Sequence, residues 1–162
     1  MNKKNLTLCC VYNNESILLG MKKRGVGMEL WNGFGGKVED GETIQEAAIR
    51  ELKEEAGIAP VDMKKRAVIT FEFDEENNPF NGKPIVDVHI FSVTEFKGEP
   101  HETEEMRPQW FLHREIPFDN MWPDDKHWMP LLLAGKNFQG TFYLKDSKTI
   151  KSFELKEVEK IA

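Results

Sequence analysis

The chain has 162 residues, with 22 Lys plus Arg against 28 Asp plus Glu and a formal net charge of -6. That balance argues against a nucleic-acid polymer as partner, because polymer binding needs clustered cations, yet a small phosphorylated ligand remains open through a bound divalent cation. The length suits one domain over residues 1–162, and 40% hydrophobic with 31% charged residues excludes wholesale disorder.

The opening MNKKNLTLCCVYNN has too short an apolar run for a signal peptide, and no stretch approaches the ~20 residues of a membrane span. The expectation is a cytoplasmic monomer with no membrane partner. Alternation predicts strands over residues 5–12 and 16–22. Cys9 and Cys10 fall side by side in the first and point to opposite faces, which leaves neither a disulfide nor a metal-ligand spacing and fits a reducing compartment. WNGFGGKVEDGET then places glycines at 33, 35, 36 and 41, permitting tight turns and close backbone approach. A helix follows over 43–56, opened by a Thr43 and Glu46 capping box and closed by Gly57. Strands are predicted at 67–73, 85–96 and 109–112, with DEENNPFNGKP at 74–84 as a surface loop joining antiparallel neighbours. A second helix is expected over 125–134, strained by Pro130, and then two strands joined by a turn at 146–148 before a charged tail.

On a helix wound at about 100° per residue, Glu51, Glu54 and Glu55 share an arc of roughly 100°. They continue the inward stripe of Ile44, Ala47 and Ala48, with Glu46, Arg50 and Lys53 opposite. Glutamates on a helix ordinarily form a solvated face, but this phase turns them inward. Like charges at that spacing cost roughly 0.2 to 0.5 kcal/mol per pair even when exposed, so a positive partner is required. An all-oxygen ligand set suits a hard divalent cation, Mg2+ first and Mn2+ as its substitute.

The run GKVEDGETIQEAAIRELKEEAGI, residues 36–58, fills every fixed position of the Nudix box: Gly36, Glu42, Arg50, Glu51, Leu52, Glu54, Glu55, Gly57 and Ile58. GMKKRGVGMELWNGFGGKV, FEF at 71–73, DVHIF, EEMRPQWF and MWPDD at 121–125 extend the likeness over nearly the whole chain, which resembles the animal-type, MutT-like oxidised-purine nucleoside triphosphatases. The resemblance implies an α/β fold, the Nudix α/β/α sandwich on a mixed β-sheet with a loop-helix-loop box. It implies magnesium-dependent hydrolysis of triphosphates such as 8-oxo-dGTP and 2-hydroxy-dATP to monophosphate and pyrophosphate. The ligands carried over are the Gly35 carbonyl, Glu51, Glu54, Glu55 and Glu105, the four glutamates also being catalytic; which one is the general base stays open. Arg50 is expected to pair with a box carboxylate. Rival readings are a Nudix pyrophosphatase for another nucleoside diphosphate-linked substrate and a noncatalytic nucleotide-binding module.

Trp122, Pro123, Asp124 and Asp125 combine an aromatic face with adjacent carboxyls, which a helix N-terminal acidic cap would also explain. Two close carboxyls in an apolar pocket resist double ionisation and so offer both a donor and an acceptor to a base edge. The resemblance adds Asn32 on the opposite edge, Thr7, Lys22 and Phe71 as pocket residues, and Phe34, Gly35, Gly36 and Lys37 near the substrate. Val26 stands where the animal enzymes carry a phenylalanine, and the 74–84 loop is longer than theirs, so both bear on the preferred base.

Overall fold

The computed structural model describes residues 3–74, 78–79 and 85–161. Its strands are β1 (Lys3–Tyr12), β2 (Ser16–Lys22), β3 (Trp31–Asn32), β4 (Ala59–Pro60), β5 (Met63–Phe73), β6 (Ile85–Val93), β7 (Phe96–Lys97), β8 (Met106–Leu112), β9 (Asn137–Asp146) and β10 (Thr149–Val158). The helices are α1 (Ile44–Ala56) and α2 (Asp125–Leu133). The main sheet runs β10-β9-β5-β6-β1-β2-β3, with β8 joined to β2, and β4 and β7 form a separate ribbon. The sheet is mixed: β1 with β6 and β5 with β9 are parallel, and the other pairs are antiparallel.

Alternation along β1 assigns its residues to two cores. Cys9 and Val11 pack with Leu52, Ala48 and Ala56 of α1, whereas Cys10 joins Trp128, Met129 and Leu132 of α2 on the other face. One helix therefore covers each face of the sheet. Ala47, Ala48 and Ala56 are all fully buried, and their small side chains let α1 approach closely enough for the Cys9 thiol to lie 3.7 Å from the Ala48 carbonyl. Burial lifts the Cys9 thiol to about 12 and Cys10 well above its ordinary range, so both stay protonated at neutral pH. Among the described residues no helix is long and apolar enough to cross a membrane.

The capping box closes α1 as expected, with Thr43 Oγ1 accepting from the Glu46 amide at 3.1 Å and Glu46 Oε1 accepting from the Thr43 amide at 2.9 Å. Such a cap contributes about 1 kcal/mol. Pro130 is accommodated inside α2 because it and Lys126, whose carbonyl loses its partner, both face solvent.

Three strands depart from expectation. β5 begins at Met63 because a bulge between Lys65 and Ala67 carries the chain through a charged stretch that breaks the apolar alternation. β8 begins at Met106 and tolerates Pro108 because β8 pairs with β2 alone. The run predicted as one strand over 85–96 ends at Val93, and Phe96 turns away to pair with Pro60 in the ribbon. β5 and β6 are antiparallel neighbours as the 74–84 loop required, while residues 75–77 and 80–84 of that loop lie outside the described residues.

Candidate active site

β1 and β2 pair only at Val11 with Leu18 and Tyr12 with Ile17, then diverge. The freed edge of β1 is taken by the glycine-rich loop, where the Thr7 amide donates to the Gly36 carbonyl at 2.8 Å and the Phe34 amide to the Cys9 carbonyl at 3.0 Å. A Cβ on Gly35 would fall 1.8 Å from the Thr7 carbonyl oxygen, and one on Gly36 would fall 2.8 Å from the Glu51 carboxyl. Glycine is therefore required for the loop to lie between β1 and the α1 carboxylates.

Against that loop stand the glutamates of α1. Side-chain exposure is 15% for Glu51 and 3% for Glu55, but 55% for Glu54. The single inward arc expected for all three is thus corrected: Glu54 lies at its solvent edge. Glu55 Oε1 accepts from the Gly35 amide at 2.8 Å, and its Oε2 lies 4.0 Å from Lys22 Nζ. Burial raises the Glu55 carboxyl to about 8, with Lys22 opposing the rise and Glu51 adding to it. Glu51 is also raised, because burial outweighs the pull of Arg50.

Arg50 does not lie opposite the carboxylates but folds over them. Its guanidinium bonds Glu42 at 2.7 and 2.9 Å, Glu51 at 2.8 Å, Glu54 at 3.2 Å and the Lys37 carbonyl at 3.0 Å. The planar fork satisfies four partners at once, which an ammonium could not do in one plane. Glu105 belongs to the bend before β8 and is held by Arg24, whose hydrogen bond lowers its pKa. Among the described residues no three His, Cys, Asp or Glu side chains already converge on one point, and the two guanidiniums occupy carboxylate oxygens that a cation would take.

Beyond the loop opens a cavity of about 280 Å³. Its floor is built in register from three strands, with Leu6 beside Val88, Leu8 beside Ile90, and Phe71 beside Val86. Thr7, Lys22, Asn32, Gly35, Gly36, Lys37, Phe71, Trp122, Asp124 and Asp125, all named from sequence, line it. Val26 lines it too. Phe34 does not, since its ring is fully buried in the core beneath α1, and Pro123 stands outside the lining. Apart from Phe71 the floor residues went unnamed; every second position on adjacent strands is the pattern that marks them.

At one end of the cavity Asp124 and Asp125 are 4% and 7% exposed. Asp124 does not cap α2; its Oδ2 instead accepts from Trp128 Nε1 at 2.7 Å. Burial raises both carboxyls, and the charge of Asp124 lifts Asp125 further, well above the carboxylate range. The two hydrogen-bond each other, and so close a buried pair resists double ionisation.

Residues 3–132 match the family described as the NUDIX domain. The chain belongs to the Nudix hydrolase family. It is 51% identical over 154 residues to the mouse protein named oxidized purine nucleoside triphosphate hydrolase, covering 94% of each chain. A zebrafish protein of the same name is 49% identical over 156 residues, covering 96% of each. The mutator MutT protein from Bacillus halodurans shares the fold with a TM-score of 0.78 at 28% identity, over 94% of this chain and 97% of that one. The Nudix box, residues 36–58, thus corresponds here to the loop that begins at Gly36, α1, its Gly57 cap and Ile58. Nudix hydrolases generally act with divalent cations.

Proposed function

We propose that this enzyme hydrolyses oxidised purine nucleoside triphosphates, such as 8-oxo-dGTP and 2-hydroxy-dATP, to the monophosphate and pyrophosphate in a magnesium-dependent reaction. It thereby clears damaged precursors from the cytoplasmic nucleotide pool, working as a monomer. The substrate class follows the names of two relatives that are half identical over nearly their whole length.

The observation that carries this reading is the adjacent, buried carboxyl pair of Asp124 and Asp125 in the cavity lining. Oxidation at C8 of guanine turns N7 from an acceptor into an N–H donor. An ionised Asp124 can accept from that group while a protonated Asp125 donates to a neighbouring carbonyl or ring nitrogen. Asn32 lines the same cavity with its side-chain amide, one N–H of which donates to the Leu30 carbonyl at 2.8 Å while the oxygen and the other N–H can serve a base, and Trp122 offers a surface on which the base can stack.

Glu51, Glu54, Glu55, Glu105 and the Gly35 carbonyl would supply an all-oxygen donor set of the chemistry magnesium takes, and burial is the main cause that raises Glu51 and Glu55, a cost that a cation would relieve. The cation supplies charge neutralisation on the phosphate oxygens and stabilises the departing pyrophosphate. Lys22, which lies between the cavity and Glu55, draws the phosphate chain toward the carboxylates. Glu55 is held by the Gly35 amide through one oxygen and directs the other toward Lys22; burial favours its neutral form, and a neighbouring divalent cation would favour the carboxylate that can take a proton from the attacking water. Arg50 fixes Glu51 and Glu54 without joining the reaction.

Phosphorus NMR of 8-oxo-dGTP incubated with the enzyme tests the proposal. It predicts pyrophosphate and monophosphate, formed only with magnesium present. Release of inorganic phosphate and a nucleoside diphosphate, or turnover undiminished in EDTA, would refute it.

A further inference from the structure

The two carboxylates assigned above to one site come from unrelated parts of the chain: Glu55 from the last turn of α1 and Glu105 from a bend before β8. Nothing in either element fixes their separation. The last carbonyls of a helix have no partner within it, and here the segment beginning at His101 supplies them. The His101 amide donates to the Ala56 carbonyl at 3.1 Å, and Thr103 Oγ1 donates to the Glu55 carbonyl at 2.9 Å. The same hydroxyl oxygen accepts from the amides of Glu105 at 3.3 Å and Met106 at 3.2 Å. The Thr103 carbonyl accepts from Lys23 Nζ at 2.7 Å, and the Lys23 amide donates to the Glu105 carbonyl at 2.9 Å. Lys23 adjoins Lys22, whose ammonium faces Glu55. The Thr103 hydroxyl thus ties the segment carrying Glu55 to the one carrying Glu105, and its backbone carbonyl adds the segment that carries Lys22.

We propose that Thr103 is a positioning residue of the carboxylate site, its hydroxyl setting the placement of Glu105 relative to Glu55 and thereby cation affinity and turnover, without touching the nucleotide. This rests on the reading of Glu55 and Glu105 as members of one cation site. A hydroxyl donates one hydrogen bond and accepts two, and this one does both. Valine keeps the shape and removes all three bonds, alanine removes the methyl as well, and serine keeps the hydroxyl alone.

The test compares Thr103→Val, Thr103→Ala and Thr103→Ser with the full-length native chain. Magnesium binding is measured by titration calorimetry without nucleotide, kcat and KM are measured for 8-oxo-dGTP, and melting temperature is recorded for each. Loss of an outer-shell partner predicts about tenfold weaker magnesium binding and about tenfold lower kcat in the valine and alanine variants, with KM and the serine variant within about twofold of native. Native magnesium affinity and kcat in the valine variant would overturn the proposal. So would a serine variant as impaired as valine, which would place the role in the methyl group. If valine does not fold, alanine against serine carries the same comparison. If the native enzyme fails to turn over oxidised nucleotides while the magnesium titrations still separate serine from alanine and valine, the substrate reading falls and the positioning role stands.

Discussion

Replacing Glu55 with glutamine should abolish turnover and, without divalent cations, stabilise the fold at alkaline pH. Burial raises the Glu55 carboxyl from 4.5 to about 8, so the folded chain holds this proton more tightly than the unfolded one. The stability so conferred is complete below about pH 4.5 and is lost as pH rises through about 8. At about 1.4 kcal/mol for each pH unit, that displacement bounds the effect at about 5 kcal/mol. Glutamine retains an acceptor for the Gly35 amide, and the displacement already includes the attraction to Lys22; movement of the ionised side chain toward water lowers the expected gain from that bound to about 2 kcal/mol at pH 9 and near zero at pH 5. Urea unfolding in EDTA at pH 5, 7 and 9 measures the difference. A gap between the two proteins that stays constant across this range would refute the electrostatic account of Glu55. Turnover with magnesium should fall by at least about a hundredfold, and an unchanged rate would remove Glu55 from the chemistry.

Binding of 8-oxo-dGMP, followed by calorimetry, should weaken as pH falls through the raised pKa of Asp124, an acid limb lying above the ordinary carboxylate range. Asp124→Asn should erase that limb and reduce discrimination between 8-oxo-dGTP and dGTP by about tenfold or more, with magnesium dependence kept; equal loss on both nucleotides would argue against base reading. Trp122→Ala should raise KM by about tenfold through lost stacking, with a smaller change in kcat. Gly36→Ala drives a Cβ into the Glu51 carboxyl, a flexible end that can move aside, so the chain should fold while kcat drops by at least about tenfold. A fully active Gly36→Ala enzyme would contradict the assigned position of Glu51.

The most legible parts of the molecule were those whose causes are local. The Thr43 and Glu46 box, the Gly57 cap and the alternation over Ser16–Lys22 each act within a few residues, and each appears where expected. The terminal hairpin of β9 and β10 was legible for the same reason, its polar turn standing between two alternating runs. What sequence missed depends on distant partners. Helical phase alone placed Arg50 away from the carboxylates, and the pairing with a box carboxylate that the resemblance implied is what the long side chain makes, bending to Glu42, Glu51 and Glu54 together. Phe34 sits among substrate-facing glycines in the sequence, yet the loop that lays Gly35 and Gly36 on β1 turns its ring into the core beneath α1. Apart from Phe71 the cavity floor was invisible, because its residues come from three strands and meet only through register. Asp124 and Asp125 were readable as a pair, whereas the Trp128 bond that helps hold Asp124 required the helix to be seen.

The central claim is that this Nudix site reads an oxidised base. Its most direct test is the ratio of kcat/KM for 8-oxo-dGTP to that for dGTP, measured with magnesium at neutral pH. A base edge presenting the wrong hydrogen-bond sense to a buried pair costs about 1–3 kcal/mol, so the expected preference for 8-oxo-dGTP is about 5- to 150-fold. Equal or reversed kcat/KM in an active enzyme would contradict it.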